Sequence, residues 1–399
     1  MHAIFLFCIC GLSFSLRVCS YKMNFFKSQV SSAGPKRQRP LKAVPILALL
    51  CATVVIGRAF IVMHAKLKLS ALDILRTKYE KCEKQCRPSG TEALPKGILS
   101  STSDLEFRPL WGSPVEKTLD RNLLAMAVGK KQKANVDAIV RKFLNNGFTV
   151  VLFHYDGNVD DWNDLDWSAE ALHIAAAGQT KWWFAKRFLH PDIVAKYSYI
   201  FLWDEDLGVQ NFTVQSYLSV VKKEGLEISQ PALDSHRSKE YHHQITIRRI
   251  GTPVHRRYHG SIGQTKCDED SVEPPCTGFV EMMAPVFSRA AWRCAWYMIQ
   301  NDLIHAWGVD FKFGYCAQGD RTQNIGIVDS DYIIHYGVKT LGDTAGNKAA
   351  ASPGELGSRL AVQNQSYAEM YEFKKRWTKA VADDECWTDP FLQPKRQGS

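Results

Sequence analysis

Tyr197-Ser-Tyr-Ile-Phe-Leu-Trp203 runs directly into Asp204-Glu205-Asp206. An aromatic and β-branched run of this length reads as a buried strand. Three carboxylates at its C-terminal end fall where open α/β sheets place their ligand crevice. Such groups are hard oxygen donors suited to Mg2+ or Mn2+, ions that in turn hold a diphosphate. The competing reading is an ordinary acidic turn closing a strand.

The surroundings of this strand favour a parallel sheet. Leu123-Leu-Ala-Met-Ala-Val128 is a continuous apolar run ended by Gly129. Val136, Ile139, Val140, Phe143 and Leu144 follow at helical spacing, and Asn145-Asn146-Gly147 stops that helix. Phe148-Thr-Val-Val-Leu-Phe153 is a second strand, leading into His154-Tyr155-Asp156-Gly157. Strand, helix and strand with short joints make a βαβ unit, so right-handed crossovers are expected. Helical segments are expected at Ser168–Gly178 and Pro191–Tyr197, then at Val214–Lys223, Arg289–Asn301 and Leu360–Ala382. Further strands are expected at Leu226–Gln230, Phe279–Phe287 and Ile325–Val328.

Charge is unevenly placed. Residues 1–63 hold eight of the 50 Lys and Arg and no Asp or Glu, leaving 42 basic against 41 acidic residues in the remainder. A nucleic-acid binder carries its basic excess on the folded domain, so no nucleic-acid partner is expected. Ala43–Met63 is apolar except for Thr53 and Arg58, and about twenty such residues can span a bilayer. With Lys36-Arg37-Gln38-Arg39-Pro40-Leu41-Lys42 just upstream, the expectation is a single-pass type II signal-anchor with a lumenal body. Residues 3–16 resemble the apolar part of a signal peptide but lack a preceding basic residue. Residues 1–22 therefore read as an upstream extension, with a cleaved signal as the alternative.

Seven of the eleven cysteines follow the apolar segment, which suits an oxidising lumen. Cys267 and Cys276 bracket a short acidic loop and are expected to pair. Cys82 and Cys86 are expected to pair with each other or across a dimer stem, one of the seven being left over. Asn211-Phe-Thr213 and Asn364-Gln-Ser366 are glycosylation sequons.

No dinucleotide fingerprint, P-loop, Gly-x-Ser-x-Gly elbow or His-Glu-x-x-His zinc site occurs. Three later segments suit sugar transfer. Phe279-Val-Glu281-Met-Met-Ala-Pro285 is apolar with one acid. Trp307-Gly308-Val-Asp310 puts a carboxylate beside an aromatic face that can stack on a sugar ring, and a carboxylate can accept a proton from an attacking hydroxyl. Ile325–His335 ends on an imidazole able to complete a metal shell begun by Asp204 and Asp206. Each has a plainer reading: Trp307 as core, Asp310 as a helix cap, His335 as a hydrogen-bonded core residue. The basic stretch His236–His259, with Arg256 and Arg257, could meet an acidic polysaccharide or need no such role.

Asp-x-Asp after a hydrophobic strand, then Trp-Gly-x-Asp, then a late His, is similar to the pattern of GT-A glycosyltransferases. Phe201-Leu-Trp-Asp-Glu-Asp206, Phe279–Pro285, Phe287-Ser-Arg289, Gly308-Val-Asp310 and His335-Tyr-Gly-Val-Lys-Thr-Leu-Gly342 resemble the plant domain-of-unknown-function 707 family. Some of its members are labelled as related to lysine–ketoglutarate reductase trans-splicing, a label that nothing in these residues supports.

The resemblance implies an α/β, GT-A-like mixed sheet flanked by helices, preceded by a transmembrane helix and stem. The boundaries are a tail at 1–42, the membrane helix at 43–63, a stem at 64–118, the GT-A-like domain at 119–345 and a helical extension at 346–399. The activity implied is metal-dependent transfer of a sugar from a nucleotide-diphosphate donor to a glycan or cell-wall acceptor in the Golgi. Asp204, Asp206 and His335 would hold Mn2+ or Mg2+. Asp156 and Glu205 would join Asp204 and Asp206 in donor binding, with Asp310 as catalytic base and Glu281 as second candidate. A non-catalytic GT-A-like scaffold or carbohydrate-binding protein is the alternative.

Overall fold

A computed structural model describes residues 43–83, 87–99, 121–239, 241–248, 251–262, 265–338 and 353–392. The tail at 1–42, including the signal-like segment, lies outside them. The chain divides into two units, Met1–Arg76 and Thr77–Ser399.

Helix α1 (Ala43–Glu83) contains the expected membrane segment and continues well past Met63. Among the described residues no helix is long and apolar enough to cross a membrane. Arg58 interrupts the apolar run, and His64, Lys66 and Lys68 follow in the same helix.

The second unit is a mixed α/β fold with one central sheet. Its first strands are β1 (Arg121–Val128), β2 (Thr149–His154), β3 (Leu172–Ala175), β4 (Tyr197–Trp203), β5 (Leu207–Gly208) and β6 (Ile228–Leu233). Later come β7 (Val254–His255), β10 (Val286–Ser288) and β11 (Ile325–His335), while β8 (Gly260–Ile262) and β9 (Thr265–Cys267) form a separate hairpin. The sheet order is β3-β2-β1-β4-β10-β6-β11-β5, with β7 also on β11. β3, β2, β1 and β4 run parallel, as do β6 and β11, whereas β10 lies antiparallel between β4 and β6.

Helix α2 (Lys133–Leu144) links β1 to β2, and α3 (Lys181–Phe188) links β3 to β4. The two connections move in opposite directions along the sheet, so right-handed crossovers place α2 and α3 on opposite faces. The α2 face is aromatic. Phe143 meets Phe201 and Trp203 edge-on at 5.4 and 5.2 Å, and Tyr217 of α4 (Val214–Lys223) closes on Phe201. On the other side α5 (Arg289–Met298) binds α3 through the indole N–H of Trp296, which donates to Lys186 O at 2.9 Å. The short helix α6 (Asp310–Phe313) follows.

Three local expectations differ from the fold. Leu172–Ala175 is an edge strand on β2, not helix, because parallel pairing there outweighs the helix preference of the alanines in and around it. Residues after Pro191 make only turns, being too few to sustain a helix. Before β10, residues 279–285 are irregular, since only Val286–Ser288 find ladder partners.

The boundaries at 118 and 345 are not edges of packing. Leu94 and Ile98 upstream, and Phe373 and Trp377 of α7 (Pro353–Asp383) downstream, join the same apolar core. Arg87 pairs with Asp384 at 2.6 Å. Disulfides link Cys267 to Cys276, as expected, and Cys294 to Cys316. Cys82 is joined to Cys386, which corrects the Cys82–Cys86 pairing; Cys86 lies outside the described residues.

Peptide mapping without reductant should return the Cys82–Cys386, Cys267–Cys276 and Cys294–Cys316 linkages. Cys386→Ser should lower unfolding stability in urea by roughly 2–5 kcal/mol, the usual cost of losing a native long-range crosslink. An unchanged midpoint would show that this bond holds nothing in place.

Candidate functional site at the carboxyl ends of the central strands

The strand order reverses between β1 and β4, with β2 and β3 to one side and β10, β6 and β11 to the other. In open α/β sheets ligands bind outside the carboxyl ends of the strands at such a switch point. Gly129 ends β1 there and Asp204 ends β4.

Side chains alternate at the end of a strand, so Glu205 departs from its two neighbours. It is buried, and one carboxyl oxygen accepts Gly129 N–H at 2.7 Å while the other accepts the Tyr155 hydroxyl at 2.5 Å. Its backbone carbonyl accepts the Asn135 amide. Burial first, then the nearby Asp206 and Asp204, pushes Glu205 up to about 8 against the two hydrogen bonds that favour its charge. With both oxygens engaged, Glu205 ties the end of β4 to Gly129 and to Tyr155. Gly129 is required for this arrangement, because a Cβ there would lie 2.4 Å from the Tyr155 oxygen.

Asp204 and Asp206 each face a cation. Lys181 Nζ donates to Asp204 Oδ1 at 2.6 Å and to Met282 O at 2.6 Å. Asp204 is raised to about 6 by desolvation, opposed by Lys181 and reinforced by Asp206 and Glu281. Its side chain is still 39% exposed, so solvent moderates that shift. Asp206 Oδ2 accepts Val338 N–H at 2.9 Å and lies 3.3 Å from His335 Nε2. Pairing of His335 with Leu207 across β11 and β5 is what carries residue 335 to residue 206. His335 Nδ1 donates to Lys239 O at 2.6 Å, which turns Nε2 toward the carboxylate. Burial disfavours the imidazolium, but the hydrogen bond and charge of Asp206 outweigh it and raise His335 to about 9.

This donor set suits a divalent ion only in part. An imidazole whose far nitrogen is anchored on a carbonyl, with its near nitrogen beside a carboxylate, is a usual metal-ligand arrangement. Asp204, however, is drawn off by Lys181, and among the described residues no three His, Cys, Asp or Glu side chains converge to hold a metal ion. Of Asp204, Asp206 and His335, the structure brings Asp206 and His335 together and sets Asp204 against Lys181.

The other expected residues are spread along the same rim. Asp156 caps the turn after β1, accepting Lys130 N–H at 2.8 Å and Asn158 N–H at 3.0 Å. Glu281 accepts Met283 N–H at 2.6 Å and adds to the field on both Asp204 and Asp310. Asp310 is buried at the start of α6, where Phe311 N–H reaches it at 3.0 Å. Desolvation, then Glu281, pushes Asp310 up to about 8. Trp307 is not core: it is 37% exposed and meets Tyr367 of α7 edge-on at 5.2 Å. Gly308 holds φ +89°, and a Cβ there would meet Met370 at 2.9 Å, so the loop carrying Asp310 needs this glycine.

Three side chains at the end of the basic stretch 236–259 are used internally. His255 binds Asp329 at 2.8 Å, Arg256 binds Glu224 at 2.8 Å, and Arg257 donates to the carbonyls of Glu269 and Ser271. Sequence reasoning missed Lys181, Tyr155 and Asn135. Of these only Lys181 carried a signal, a cation in the first turn of a helix, where the dipole disfavours it.

A mixed α/β protein with an acidic crevice at its switch point is the class these features define. The family described as "Protein of unknown function (DUF707)" matches residues 85–383, and the chain belongs to it. No curated protein matches by sequence. Among solved structures, S. aureus TarS is 9% identical with a TM-score of 0.36, over 55% of this chain and 37% of that one. The TarS 1–349 structure is 9% identical with a TM-score of 0.39, over 68% and 67% respectively. The chain thus spans little more than a third of the longer TarS structure.

Asp310 has a folded-state pKa above its unfolded value, so its contribution is intact below the unfolded pKa and is lost as pH rises through about 8. The melting temperature should fall between pH 5 and pH 8.5, and Asp310→Asn should flatten that fall. Parallel pH curves for the two proteins would refute the assignment.

Proposed function

We propose that this protein is a GT-A-type, metal-dependent glycosyltransferase, moving a sugar from a nucleotide-diphosphate donor to a glycan or cell-wall acceptor. The observation that carries the reading is the placement of Asp204 and Asp206 at the end of β4, directly across the switch point from Gly129. Asp206 and His335 would hold Mn2+ or Mg2+, with Asp204 beside them. The ion's chemistry there is neutralisation of charge developing on the leaving diphosphate. Asp156 and the Gly129 turn line the donor side of the crevice. Asp310 is the base that takes the acceptor's hydroxyl proton, its raised pKa making the carboxylate a better acceptor once ionised. Glu281, on the same rim, is the second candidate. The three disulfides support an oxidising compartment, and the Golgi lumen is the compartment proposed.

A second reading has one observation of its own. Lys181 and His335 already neutralise the two aspartates, as they would in a carbohydrate-binding scaffold that keeps the fold without transfer.

Calorimetric titration of the full chain with uridine, guanosine, adenosine and cytidine diphosphates, with and without Mn2+, separates the two. The transferase reading expects binding that Mn2+ strengthens and Asp206→Asn abolishes in its Mn2+-dependent part. Absence of binding by folded protein would favour the scaffold. Where transfer is measurable, its rate should climb with pH to a plateau above about 8 and vanish in Asp310→Asn. A rate that falls over that range would remove Asp310 as the base.

A further inference from the structure

Lys181 is the first residue of α3, where the positive end of the helix dipole disfavours a cation unless something holds it. The start of this helix is fixed on two sides. The Thr180 hydroxyl accepts Trp183 N–H at 3.2 Å and donates to Ile304 O, tying it to the loop that carries Trp307 and Asp310. Lys181 itself reaches Asp204 and the carbonyl of Met282, next to Glu281. One ammonium thus meets two of the acidic segments, and its helix cap meets the third.

A buried ion pair is weak evidence for stability, because desolvating both charges offsets most of their attraction. The net stabilisation expected from a lysine at the head of α3 is therefore small. An ammonium has three hydrogens, and two are committed here. Lys181 is 9% exposed while Asp204 beside it is 39% exposed, so solvent reaches the pair from the Asp204 side. An anion entering there meets a charged donor already held in a region of low dielectric, where such hydrogen bonds are stronger than in water.

We infer that Lys181 is a diphosphate-binding residue, whose third N–H meets an oxygen of the donor and carries part of the binding without a divalent ion. The inference rests on the nucleotide-sugar reading above and adds a residue to it. Asp206 and His335 serve the metal-dependent part of donor affinity, and Lys181 serves the part that survives chelation.

The test is titration of the full chain with uridine and guanosine diphosphate, in excess EDTA and in Mn2+, for wild type, Lys181→Arg, Lys181→Met and Asp206→Asn. Lys181→Met should weaken binding in EDTA by about tenfold or more, the size of one charge-assisted hydrogen bond. Lys181→Arg should retain most of it, and Asp206→Asn should lose the gain from Mn2+. Lys181→Met strands a carboxylate, so the Lys181→Met/Asp204→Asn pair is also compared with Asp204→Asn alone, and should show the same loss. Binding in EDTA that is equal in wild type and Lys181→Met overturns the inference, as does wild-type binding seen only with Mn2+. No nucleotide binding under either condition overturns the reading beneath it as well.

Discussion

Glu205 is the residue on which the crevice depends. It joins the end of β4 to Gly129 at the end of β1 and to Tyr155 just beyond β2, while its carbonyl holds Asn135 of α2. A carboxyl buried this deeply is costly unless its oxygens are satisfied, and here both are. Asp204 remains 39% exposed beside Lys181, whereas Asp206 is as buried as Glu205 and is held by His335 and Val338 N–H. The motif's middle residue therefore matters as much as its outer pair, for a structural reason and not a chemical one.

The crevice is acidic in composition yet internally balanced. Lys181 stands against Asp204 and His335 against Asp206, and burial favours the neutral forms of Glu205 and Asp310. A diphosphate approaching these carboxylates needs countercharge, from Lys181 and His335 or from an ion that accompanies it. Lys181, on α3, and His335, on β11, come from elements on either side of β4 and depend on the same sheet for their positions.

The strand and the acids at its end were legible because buried strands and their ligand-bearing ends leave a composition that one sequence displays. So was the β1–α2–β2 unit, whose helical and strand periods are clean. The role of His335 as neighbour of Asp206 was legible only as an order of motifs; the contact depends on β11 pairing with β5, which no local pattern encodes. Lys181 was passed over because its contact with Asp204 joins residues 23 positions apart, which no local pattern encodes. The Cys82–Cys386 bond was missed for a related reason: spacing along the chain says little about which thiols a fold brings together. The basic stretch was left open between an acidic partner and no such role, and Arg256 and Arg257 are largely spent on the protein's own acceptors.

Cys82 and Cys386 are 304 residues apart in sequence. A ribosome adding roughly 5–20 residues per second needs about 15–60 s to traverse that distance. Through that interval the Cys82 thiol has no native partner, while Cys86 stands four positions away and Cys267, Cys276, Cys294 and Cys316 emerge in turn. Correct closure is then a matter of timing as well as geometry. The cell that makes this protein must either keep Cys82 reduced until Cys386 arrives or supply an isomerase to undo an earlier pairing.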